Sequence, residues 1–167
     1  MKALFFFAVI AMSASPALAD LKVSFIEGAP KDRFVISNVG RCDLSSSVVT
    51  IDLSVSASGL MFDVTGNGPG VKVFQPFELV SGHDAVRGIP TISDGDTAVT
   101  LELGNLASGQ SASFTIDVDD TSGSNEITVV GNEILGATIA VTTMNQKFLE
   151  PMSAKAEACL RIPGCSS

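Results

Sequence analysis

Five side chains that carry hard oxygen donors stand close together in the C-terminal half of the chain: Asp117, Asp119, Asp120, Asn125 and Glu126. Carboxylate and amide oxygens without histidine or cysteine are the ligand set of calcium, so calcium is the cofactor this pattern points to. Strand alternation puts Asp117 and Asp119 on one face, about 7 Å apart, where they can share a divalent cation with oxygens of the following turn. The run is not an EF-hand loop. With Asp117 as its first position, the obligatory glycine falls on Ser122 and the bidentate glutamate on Thr128. The same residues also read as a solvated strand end with turn-forming Asp and Asn.

Other chemistries are thinly represented. A carboxylate pair can hydrolyse glycosidic bonds, but one acid must be desolvated enough to hold its proton, and the aspartate runs stand in polar, turn-rich sequence. Asp94-Gly95-Asp96 is a hairpin signal before it is a ligand pair. The only histidine, His83, precludes a multi-histidine metal site within one chain, and a Ser-His-Asp arrangement would have to use it beside Asp84. Met61, Met144 and Met152 are a meagre soft-ligand set for copper. The chain has no Trp or Tyr on which a sugar would stack. Of the phenylalanines, Phe25, Phe34, Phe62, Phe77 and Phe114 fall where alternation points to a core, and Phe74 does not. No catalytic residue is assigned, and the expectation is that the protein is not an enzyme.

The elements that must position the acidic run are strands. Apolar and polar residues alternate along 49–56, 99–103 and 112–119, and more briefly along 21–27, 33–37, 60–64, 71–80, 127–131 and 137–143. Turn clusters such as Gly66-Asn67-Gly68-Pro69-Gly70 and Ala107-Ser108-Gly109 separate them. Pro76 demotes part of 71–80 to an edge or a bulge. About nine short strands at this spacing predict an all-β fold, a single antiparallel β-sandwich of Ig-like or jelly-roll type. One or two helical turns are expected within 152–160. The alternation is lost after Glu150, and residues 146–167 read as a C-terminal tail.

At the other end, Lys2, the apolar run 4–12 and Ala17-Leu18-Ala19 before Asp20 have the layout of a cleaved signal peptide, residues 1–19, with the β-domain over 20–145. The expectation is an exported protein, periplasmic or extracellular, with no membrane span in the mature chain. Cleavage leaves 148 of 167 residues, enough for one domain with a real core. Without Lys2 there are 18 acidic against 9 basic side chains, a net −9 with His neutral, which argues against nucleic acid as a partner. An oxidising compartment makes a bridge plausible among Cys42, Cys159 and Cys165, with one thiol left over. The longer closure, Cys42 to a tail cysteine, is the more stabilising and would tether the tail.

Two sets of phrases carry a resemblance. Glu27-Gly28-Ala29-Pro30-Lys31-Asp32-Arg33-Phe34, Gly59-Leu60-Met61-Phe62-Asp63-Val64-Thr65-Gly66, Val73-Phe74-Gln75-Pro76 and Phe114-Thr115-Ile116-Asp117-Val118-Asp119-Asp120-Thr121 resemble small secreted bacterial proteins labelled "aggregation factor core". That label is borrowed from sponge proteoglycans whose adhesion depends on calcium, and it implies adhesion. Leu106-Ala107-Ser108-Gly109-Gln110-Ser111-Ala112-Ser113-Phe114-Thr115 is similar to a hairpin common in bacterial Ig-like surface domains, which bears on the fold. The resulting expectation is a secreted binding or adhesion module, calcium-dependent, with an unknown protein or surface partner or self-association. The alternatives are a structural subunit assembling by strand addition and a secreted hydrolase using paired carboxylates.

Overall fold

The computed structural model describes residues 18–66, 73–120, 129–144 and 146–163, with side chains from residue 20. Among them there is no helix, so none is long and apolar enough to cross a membrane. The described residues form eleven strands: β1 (Leu18–Ile26), β2 (Asp32–Asn38), β3 (Leu44–Asp52), β4 (Met61–Asp63), β5 (Glu78–Ser81), β6 (Val86–Arg87), β7 (Ala98–Leu106), β8 (Ser111–Asp119), β9 (Thr138–Thr142), β10 (Lys147–Pro151) and β11 (Glu157–Pro163). They make two antiparallel sheets packed as a β-sandwich. One runs β11-β1-β2-β8, with β8 flanked on its far side by β4 and β5. The other runs β10-β9-β3-β7-β6.

Alternation sets the two faces. Phe34 and Ile36 of β2, Phe114, Ile116 and Val118 of β8, Val49 and Ile51 of β3, and Val99, Leu101 and Leu103 of β7 point inward into one continuous core. A line of rings crosses the first sheet: Phe25 to Phe34 at 5.1 Å, Phe34 to Phe114 at 5.2 Å and Phe77 to Phe114 at 4.7 Å between centroids. Such spacing adds to simple area burial. Phe74 is 73 % exposed, as its place in the sequence predicts.

The sequence pattern and the structure part company in four places. The strand expected over 49–56 ends at Asp52, and a turn at residues 54–55 leaves Val55 exposed. Pro76 lies in extended coil, and β5 begins only at Glu78, because proline has no N–H for a ladder. Val129 and Val130 are outside any strand, while residues 127 and 128 lie outside the described residues. The helical turns expected within 152–160 are absent: a turn at residues 154–155 leads into β11, in which Ala158, Leu160 and Ile162 alternate inward. Residues read as a tail thus supply an edge strand to each sheet, β10 to one and β11 to the other, and these two strands pack together along one side of the sandwich.

On the opposite side the chain passes from β5 to β6 through a turn at Gly82, whose carbonyl accepts from the Ala85 and Val86 N–H groups at 2.9 and 3.0 Å. Gly82 has φ +80°, and a Cβ there would lie 2.5 Å from the Ala112 Cβ, so both conformation and space demand glycine.

Candidate functional site

β8 carries Asp117 and Asp119 outward while Val118 between them enters the core. The register with β4 then decides their neighbours: Asp63 is directly opposite Asp117, and Met61 directly opposite Asp119. Asp63 is fully buried and Asp117 half-buried. From the other side β2 stops at Asp32, opposite Ile116. There the Asp32 carboxylate takes over from the missing backbone, accepting from the Val118 N–H at 3.1 Å through Oδ2 and from the Gly28 N–H at 3.1 Å through Oδ1. Four aspartates from three strands therefore gather at this end of the sheet.

Their electrostatics follow from burial and like charge. Burial pushes the Asp117 carboxyl up to about 7, and Asp32, Asp63 and Asp119 add to the push. Asp32 is also raised to about 7, by burial first and by Glu27 and Asp119, against the two backbone N–H groups that favour its charged form. Both groups are held close to the point of neutralisation, an arrangement suited to taking up a proton or a cation.

Of the residues expected to hold calcium, Asp117, Asp119 and Asp120 are adjacent on β8 and its end. The Asp119 Oδ1 accepts from the Asp120 N–H at 3.2 Å. Asn125 and Glu126 lie outside the described residues. Among the described residues no three acidic, histidine or cysteine side chains are already arranged around one metal position. The sequence reading missed Asp32 and Asp63. Asp32 was visible as a polar residue just before the expected strand 33–37 and Asp63 as one within 60–64, but only pairing of β2 and β4 with β8 brings them to Asp117.

Asp94 and Asp96 hold backbone. Asp94 Oδ1 accepts from the N–H groups of Val64 at 2.7 Å and Thr65 at 2.6 Å, and its Oδ2 from the Thr65 hydroxyl. Asp96 Oδ2 accepts from the Ser93 N–H at 2.8 Å. Met61 and Met152 are buried and Met144 is exposed.

A second feature lies along the open side between β5 and β6. A largely apolar cleft of about 410 Å³ is lined by Phe77, Leu79, Val86 and Ile89, together with Glu78 and His83. It adjoins another of about 320 Å³, where Phe77 and Ile89 meet Val64, Phe74, Pro76 and Ile92. Ile89 is 74 % exposed. Comparison with family models, curated proteins and solved structures found no match to this chain.

Proposed function

We propose that this is an exported, non-enzymatic binding or adhesion module that acts in the periplasm or outside the cell, uses calcium, and meets a protein or surface partner or a second copy of itself. The observation that carries the binding reading is the apolar cleft between β5 and β6, with Phe74 and Ile89 exposed beside it. Contiguous exposed apolar surface of this kind marks interaction sites in proteins that are otherwise well packed. The acidic end of the sheet supports the calcium part, since the directly opposed carboxylates of Asp63 and Asp117, with mutually unfavourable charge, gain from a divalent cation. The resemblance to proteins labelled "aggregation factor core" points the same way.

Strand addition is the second reading, and one observation favours it. Among the described residues β5 pairs only with β8, so its outer edge faces the cleft with backbone groups available to an incoming extended segment. The two readings share one test. Sedimentation velocity of the chain from Asp20, with millimolar calcium and with chelator, is expected to show concentration-dependent association that weakens when Phe74 and Ile89 are both replaced by Ser. A monomer under every condition would exclude self-adhesion.

A further inference from the structure

We propose that the calcium position is on the outer face of the sheet between β4 and β8, held by Asp63, Asp117 and the side-chain oxygen of Gln75, and not along β8 by Asp117, Asp119 and Asp120. This deepens the calcium reading above and rests on it.

The register supplies two of the ligands. Asp63 and Asp117 are directly opposite, which places their Cβ atoms about 4.5–5.5 Å apart on one face, within reach of a common cation. Asp119, by contrast, faces Met61, whose thioether is no ligand for a hard ion, and one of its oxygens accepts from the Asp120 N–H.

Gln75 supplies an independent observation. Its N–H donates to the Val64 carbonyl at 3.2 Å, next to Asp63, and its side-chain Nε2 donates to the Pro30 carbonyl, close before β2. Since β8 lies between β4 and β2, Gln75 has to cross β8 to make both bonds. The inner face there is filled by Phe34, Phe114 and Ile116, so the crossing passes over the outer face, which carries Asp117. A carbonyl requires a donor, so the bond to Pro30 fixes which end of the amide is nitrogen. The remaining atom, Oε1, is buried in a residue only 8 % exposed and has no hydrogen-bond partner. A buried acceptor without a donor is costly, and a cation satisfies it.

Lys31 crosses the same face nearby, but its Nζ is committed to the Pro76 carbonyl at 3.1 Å and to Glu78 at 2.8 Å. Two carboxylates, one amide oxygen and no nitrogen or sulfur ligand select a hard cation, with water reaching the position past half-exposed Asp117.

The test is titration of CaCl2 into the chain from Asp20 by calorimetry, with scanning calorimetry in calcium and in chelator; the chain has no Trp or Tyr to report by fluorescence. Gln75→Leu is expected to weaken calcium at least tenfold and to remove most of the calcium-induced rise in midpoint, whereas Asp119→Asn keeps both. Gln75→Glu, which retains the oxygen and adds a charge, is expected to bind calcium at least as tightly as the parent, and is decisive if Gln75→Leu does not fold. Full binding in Gln75→Leu, weakened binding in Gln75→Glu, or loss in Asp119→Asn alone would overturn this position while leaving calcium in place. A parent chain whose midpoint ignores calcium would remove the calcium reading itself.

Discussion

Asp63 and Asp117 occupy directly opposite positions on β4 and β8, one fully buried and one half-buried. Like charges in this register are unfavourable, and ordinary sheets avoid them. Neutralising one carboxyl in the absence of metal should therefore help the fold. Asp117→Asn is expected to stabilise the chain in chelator at about pH 8 by roughly 0.5–1 kcal/mol. Chemical denaturation measures this, and a loss of stability would show that the pair is not in conflict.

The same groups set a pH dependence. Asp32 and Asp117 have carboxyls at about 7 in the fold against an ordinary 3.8, raised first by burial and then by acidic neighbours, Glu27 and Asp119 for Asp32, and Asp32, Asp63 and Asp119 for Asp117. A carboxyl raised on folding binds its proton more tightly in the native state. Stability is then greatest below the unfolded value near 4, declines as pH rises towards 7, and levels off above it. The midpoint in chelator should be lower at about pH 8 than at about pH 5, with a shallower slope in Asp117→Asn. A midpoint that climbs across that interval contradicts the assignment.

Gly82 is the backbone position least open to change. Its φ of +80° and the 2.5 Å approach of a Cβ to Ala112 act together, so Gly82→Ala should cost about 1–3 kcal/mol, whereas Gly→Ala where alanine fits the backbone stabilises by about 0.4–1 kcal/mol. Equal denaturation midpoints for Gly82→Ala and the parent would mean that the β5–β6 crossing adapts freely.

Cys159 is a free, exposed thiol on β11, opposite Lys22. In an oxidising compartment the expected bridge is therefore Cys42 to Cys165, the latter outside the described residues. Peptide mapping without reduction should find that link together with alkylated Cys159. Cys159→Ser should leave stability within about 0.5 kcal/mol, while Cys42→Ser should cost about 2–5 kcal/mol. A map that links Cys159 to either partner would reverse the assignment.

How much was legible is best judged strand by strand. β7 and β8 follow from the alternation of residues 99–103 and 112–119, since a period of two needs no knowledge of partners, whereas of 49–56 only residues 49–52 lie in β3. β6 has two residues, too few for any period, and exists because Val86 and Arg87 pair with Leu103 and Glu102 of β7. β10 mixes polar and apolar residues without order, since as an edge strand it has little of its surface to bury. Asp117 and Asp119 were legible as neighbours on one face because that follows from their spacing alone.

The sequence by itself determined the period of the chain: two faces per strand, a core of Phe, Val, Leu and Ile, and the side of β8 on which its aspartates project. Only the tertiary structure decided what those aspartates meet. Asp32, Asp63 and Gln75 reach the acidic end through pairings and hydrogen bonds between segments far apart in the chain. Local alternation says which way a side chain points, but the order of strands in a sheet is settled by burial of the whole apolar surface at once, and no single segment carries that information.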